Sequence, residues 1–163
     1  MKQTVTIPSP TPGETERASQ PNRSLELDAS PKKVVLDWIA AYNARNALVL
    51  ADLYHEDAES FQVSMGRPVK GRAALLEGFI AFFEAFPDSY THAERIYQDG
   101  DWVVVEWRGG GTFVGDLGPH RPTRRAYEVR GCGFFHVQSG KIQHQRGYFD
   151  KHTWLSQIGL EME

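Results

Sequence analysis

Residues 90–149 constrain the fold more than any other part of the sequence. They read as long strands separated by turn signals, and they come after the helices instead of alternating with them. Residues 90–98 form the first of these strands, and Asp99-Gly100 marks a hairpin turn. Residues 102–107 follow and can run on through Gly109-Gly110-Gly111 to Val114. After a Gly/Pro loop at 115–122, residues 125–137 and 141–149 make a last hairpin around Gln138-Ser139-Gly140. Helices first and long neighbouring strands afterwards imply an α+β domain, with the helices on one face of a strongly curved antiparallel sheet.

The helices have clear signals. Ser30 is a good N-cap and Pro31 a good first residue, and Val34, Val35, Trp38, Ile39 and Tyr42 then recur at helical spacing. Residues 47–54 read as a short second helix and 58–65 as a strand. A third helix at 72–86 carries Leu75, Phe79, Phe82, Phe83 and Phe86 on one side and stops at Pro87-Asp88. Residues 151–158 form a short closing helix, with Asp150 as its N-cap. Residues 1–29 are Pro-, Ser-, Thr- and Glu-rich and are expected to be a disordered tail, which leaves 30–163 as one domain. With 40% hydrophobic residues in 163, such a domain can bury a real core. A twisted sheet under helices leaves a cone-shaped interior, a natural pocket. The side chains expected to line it are Trp38, Tyr42, Tyr54, Phe79, Phe83, Trp107, Phe135 and Gln145.

Several functions are disfavoured. A net charge of -3 lacks the clustered basic face of a nucleic-acid binder, and Arg121, Arg124 and Arg125 read as solvated surface. Cys132 is the only cysteine, so no intrachain disulfide can form and a reducing compartment is the simpler reading. No apolar run is long enough to span a membrane and the N-terminus lacks an apolar signal core, so a cytoplasmic location is expected. The six histidines are scattered without metal-ligand spacing, so no metal site is expected. The three glycines at 109–111 lack the ending of a phosphate loop and read as a β-bulge or sheet bend.

Ala41-Tyr42-Asn43 is followed by Leu53-Tyr54-His55-Glu56-Asp57, and Gly71 opens the third helix. Gly111-Thr112-Phe113-Val114-Gly115 leads to Pro122-Thr123, Gly140-Lys141-Ile142 makes the last turn, and Leu155-Ser156-Gln157-Ile158-Gly159 ends the domain. In their order and spacing these motifs resemble the SnoaL-like polyketide cyclases of the NTF2-like superfamily. The resemblance implies an NTF2-like cone, a small apolar ligand, no cofactor, and a homodimer formed through the sheet. It also implies ring closure by an intramolecular aldol step, in which an aspartate on the last strand and a histidine on the preceding one move a proton next to a carbonyl. Anchored on Pro122-Thr123 and Gly140-Lys141-Ile142, those positions fall on Gly147 and Gly133. The floor of the pocket is then expected to be roomier and chemically quieter than the fold implies.

For Gly133 and Gly147 to share a face as a catalytic pair would, the hairpin needs a three-residue loop, with Val137 facing Lys141 and Gly131 facing Gly147. A two-residue loop would put them on opposite faces. In the first register Gly133, Phe135, Gln143, Gln145, Gly147 and Phe149 face the pocket, and Phe134, His136, His144 and Tyr148 face the other way. Any base must then come from elsewhere. Glu106 is a candidate if it points inward, where burial would raise its pKa, and His55 is a candidate near the mouth of the cone. Two functions remain. One is a cofactor-free cyclase, isomerase or dehydratase acting next to a carbonyl. The other is a non-catalytic ligand-binding or dimerising module. A titratable group with a strongly shifted pKa inside the cavity favours the first; a cavity of apolar groups and glutamines favours the second.

Overall fold

The computed structural model describes residues 30–161. The tail expected over 1–29 lies outside the described residues, as do residues 162 and 163. The elements run α1 (Pro31–Asn43), α2 (Ala47–Asp52), β1 (Tyr54–Gln62), a 3₁₀ turn (Val63–Met65), β2 (Val69–Lys70), α3 (Arg72–Ala85), β3 (Tyr90–Asp99), β4 (Trp102–Thr112), β5 (Ala126–Gln138), β6 (Lys141–Phe149) and α4 (Lys151–Ile158). The six strands lie in the order β2-β1-β6-β5-β4-β3. All neighbours are antiparallel except β1 and β6, which are parallel, so the sheet is mixed.

The helix ends follow local chemistry. The Ser30 hydroxyl accepts from the Lys33 N–H at 3.2 Å, and the Asp150 carboxylate accepts from the Thr153 N–H at 3.1 Å, each satisfying a donor that the helix leaves free. The second helix stops at Asp52, two residues earlier than its helical pattern predicts. Tyr54 instead opens β1, because its ring is wholly buried between helix and sheet and a fixed strand start places it there.

The last hairpin differs from expectation in an instructive way. The loop is the two-residue Ser139-Gly140, both with positive φ (48° and 74°), and Gln138 pairs with Lys141. That combination is a type I′ turn, whose twist matches the strands it joins. On its own it would put Gly133 and Gly147 on opposite faces. One step in, Val137 pairs with Ile142 but His136 pairs with His144, so Gln143 is an extra residue in β6. This bulge restores the parity, and Gly133 pairs directly with Gly147. The glycines at 109–111, by contrast, pair without a break with residues 127–129. They hold no bulge. They permit close approach: a Cβ on Gly109 would lie 2.8 Å from the Tyr90 carbonyl oxygen. The irregularity in this part of the sheet lies in β3, at Glu94.

The inner face of the sheet carries two packed regions. Val35, Tyr54, Val103, Val137 and Ile142 are closed over by α1 at one end. Phe86, Phe113, Trp154 and Ile158 close the other end under α4. Each such fully buried aliphatic or aromatic side chain contributes about 1.5–3 kcal/mol relative to an exposed one. Between these regions the helices stand off the sheet and leave an interior space.

Candidate functional site: an amide- and phenol-lined cavity

The space is a cavity of about 540 Å³, within the usual range for small-molecule sites. From α1, Trp38 and Tyr42 border it with their rings stacked at 5.4 Å; from α3 come Phe79 and Phe82. The sheet supplies Val105 and Trp107 from β4 and Phe135 from β5, whose ring meets Trp38 edge-on at 5.3 Å. Trp107 lies over Gly131 of the paired strand, where a Cβ would come within 2.9 Å of the indole Cε2.

Six of the residues expected at the pocket are there: Trp38, Tyr42, Phe79, Trp107, Phe135 and Gln145. Tyr54 and Phe83 are not. Tyr54 is fully buried behind the wall, where its hydroxyl bonds Trp38 and Gln145, and Phe83 packs on Ala41 and Leu50 behind α3. Nor does Gln143 border the cavity; as the bulge residue it turns aside and donates to the Asp57 carboxylate at 3.3 Å.

Neither candidate base reaches the cavity. Val103 and Val105 take the inner face of β4, so Glu106 points out of the opposite face, with its carboxylate 3.0 Å from the Arg95 guanidinium. The inward orientation that its candidacy required is not met. His55 is pinned at the β5–β6 turn, Nε2 lying 2.8 Å from the Gln138 carbonyl oxygen, away from the cavity instead of at its mouth.

Sequence reasoning missed Ser60 and Gln62 on β1, Tyr127 on β5 and Arg67. Two of the strands held the signal. Alternation from the buried Ala58 carries Ser60 and Gln62 to the inner face, and two-residue steps back from Gly133 reach Tyr127. Gly133 and Gly147 both face the cavity, as expected, but the room beside Gly147 is not empty. The Gln62 side chain fills it, and a Cβ on Gly147 would overlap the Gln62 amide.

Among the described residues that border the cavity there is no carboxylate and no imidazole. Its polar groups are the amides of Gln62 and Gln145, the hydroxyls of Ser60 and Thr91, three phenols, three indole N–H groups and the Arg67 guanidinium. Burial pushes the Tyr42 and Tyr127 phenols well above the ordinary range, so both remain protonated and can donate. No three metal-ligating side chains come together among the described residues. The arrangement can hold an apolar body and donate hydrogen bonds to it; it offers no built-in proton acceptor of the usual kinds.

Solved structures share this fold. A candidate SnoaL-like polyketide cyclase from Jannaschia sp. CCS1 superposes with a TM-score of 0.73 at 20% identity, over 82% of this chain and 94% of that one. IdmH, a candidate polyketide cyclase from Streptomyces antibioticus, gives 0.67 at 24% identity over 80% and 99%. A hypothetical protein with a ketosteroid isomerase-like fold from Catenulispora acidiphila, crystallised with trimethylamine, gives 0.68 at 21% identity over 79% and 94%. No curated protein matches the sequence. The family model for the SnoaL-like polyketide cyclases matches residues 32–158, from the first turn of α1 to the last residue of α4. With the cone, the helix-covered sheet and the aromatic cavity in agreement with that match, the chain belongs to the SnoaL-like polyketide cyclase family.

Proposed function

We propose that the cavity binds a small, largely apolar carbonyl compound and that the chain supplies no general base to it. The observation that carries this reading is the composition of the wall: aromatic and aliphatic groups with amide, hydroxyl and phenol donors and one guanidinium, that of Arg67, and no carboxylate or imidazole among the described lining residues. A C–H next to a carbonyl is removed quickly only when a base with a matched pKa is positioned against it. At the two places where the resemblance puts such groups, this chain has Gly133 and Gly147.

A second reading keeps the chemistry of the family: a cofactor-free cyclase, isomerase or dehydratase. It is favoured by Tyr42 and Tyr127, whose burial keeps them protonated and suits them to polarise a carbonyl as it gains charge. The base would then be water or a group on the substrate itself.

The two are separated with 1-tetralone in D₂O. Equilibrium dialysis measures its binding, and NMR follows deuterium uptake at the carbon next to the carbonyl. The binding reading expects saturable binding with exchange at the buffer rate. Saturable acceleration of exchange by the protein would overturn it in favour of the second. We further propose that two copies pair through the outer face of the sheet, where Tyr97, Trp102 and Tyr148 are exposed, and that the protein works in the cytoplasm, where a free Cys132 stays reduced.

A further inference from the structure

Gln145 lies on β6 inside the cavity wall, opposite Phe135 of β5 and beside Ser60 of β1. It is 93% buried, being 7% exposed, yet it borders the cavity. Its Oε1 accepts from two hydroxyls, those of Tyr54 and Ser60, the latter at 3.2 Å. Trp38 fixes the direction of the first of these bonds. An indole N–H can only donate, and it donates to the Tyr54 oxygen at 2.7 Å. The single phenolic proton must therefore go elsewhere, and Gln145 is the acceptor in reach. Turning the amide over would strand that proton on a fully buried side chain, at the full cost of an unmade hydrogen bond.

The chain Trp38–Tyr54–Gln145–Ser60 thus commits the amide oxygen and leaves the NH₂ group pointing away from these partners. No described residue accepts from Nε2, and that atom is not among the sealed polar atoms without a partner. It is an open, oriented double donor at the inner wall of an apolar cavity.

We infer that Gln145 is the ligand-anchoring residue of this cavity and that its Nε2 donates to a carbonyl oxygen of the bound compound, with Tyr54 and Ser60 as positioning residues that hold the amide. This rests on the binding reading and narrows it: the ligand carries a neutral acceptor at its inner end and an apolar, ring-containing body that packs on Trp38, Phe79, Phe135 and Trp107. A neutral donor held by neutral hydroxyls suits a ketone or quinone oxygen better than a carboxylate or phosphate, whose charge it would not offset. Burial holds the Tyr54 phenol protonated, so the lock does not loosen over the neutral pH range.

The test uses a matched pair of probes, 9-fluorenone and fluorene, which differ by the carbonyl oxygen. Dissociation constants come from equilibrium dialysis, and the carbonyl stretch of bound fluorenone from infrared difference spectra. In the wild type the stretch should fall below its value in an apolar solvent, as it does for a hydrogen-bonded ketone. Gln145→Leu should weaken fluorenone relative to fluorene by about tenfold. Gln145→Glu at pH 8, which still accepts from Tyr54 and Ser60 but has lost both N–H donors, should shift the ratio the same way. An unshifted stretch in the wild type, or an unchanged ratio in the two variants, overturns the assignment of Gln145 while leaving the binding reading standing. Failure of the wild type to bind either probe overturns both.

Discussion

The side-chain amide of Gln62 covers the α-carbon of Gly147, its register partner across the parallel β1–β6 pair. A methyl group on Gly147 would overlap that amide. The place where the family resemblance puts an aspartate is therefore neither a carboxylate nor a vacancy. It is a glutamine reaching over from the next strand, and the cavity keeps a neutral polar surface there.

This relationship separates two glycines that look alike in sequence. At Gly147 the obstacle is the far end of a flexible side chain, which can swing into the cavity. At Gly131 it is the Tyr148 backbone carbonyl and the Trp107 indole, neither of which can give way. Gly147→Ala is expected to cost under about 1 kcal/mol and to reduce the cavity's capacity for ligand, whereas Gly131→Ala should cost about 2–3 kcal/mol as overpacking. Urea denaturation of both variants checks the ranking; equal costs would mean that the Gln62 side chain cannot swing aside.

Tyr54→Phe should destabilise the fold by about 1–3 kcal/mol although it removes a single oxygen. The change leaves the Trp38 indole N–H without its acceptor and withdraws one donor from Gln145, both in a part-buried to buried setting. Leu48→Ala, at a side chain 69% exposed on α2 and away from the outer face of the sheet, serves as the control and should stay within about 0.5 kcal/mol. Urea midpoints of the two variants, compared at matched slope, give the answer.

The sequence conveyed the large features because they rest on local signals. Ser30-Pro31 and Asp150 announce helix starts, and long apolar alternation announces β4 and β5. What it concealed were the features decided by tertiary packing. Tyr54 continues a helical pattern and is drawn into a strand by its buried ring. In β4, alternation divides Val103 and Val105 from Val104 and Glu106, but both sets contain valine, and only the helices above decide which faces inward. In the last hairpin the expected pocket face was right for Gly133, Phe135, Gln145, Gly147 and Phe149 although the loop length was wrong. The bulge at Gln143 compensated, and nothing about a lone glutamine in a polar strand segment marks a bulge.

Asp88 gives the fold a specific sensitivity to acid. Burial acts to raise its pKa, but hydrogen bonds from the Thr112 hydroxyl (2.6 Å) and N–H (2.7 Å), with the Arg45 charge nearby, outweigh burial and hold the carboxyl below its ordinary range. A group whose folded pKa lies below its unfolded value of about 3.9 stabilises the fold above that value. The contribution is lost as pH falls through the lower, folded value. Asp88→Asn should therefore be less stable than the wild type at pH 7, and the gap should narrow below about pH 4. Urea midpoints of both proteins from pH 7 to pH 2.5 test this; a gap that stays constant would show that the Thr112 contacts do not depend on the charge.

The pairing of two copies proposed above would use the outer face of the sheet, which is rich in aromatic side chains. Phe61, Arg146, Phe134, Val104 and Tyr97 form one register row across β1, β6, β5, β4 and β3. In the adjacent row Trp102 stacks on His136 at 4.6 Å, and His136 on His144 at 5.9 Å, which makes a flat aromatic strip. Ion pairs of Glu94 with Arg108 and Arg130 flank this centre, as charges rim an apolar interface core. A pair through this face would bury Val104, which lies within this row, and a charge placed there would lose its water. The wild type should therefore sediment at about twice 18.4 kDa, and Val104→Glu at the single-chain mass with an unchanged far-ultraviolet spectrum. A monomeric wild type, or a dimer that survives the substitution, would mean that these aromatics face solvent or another partner.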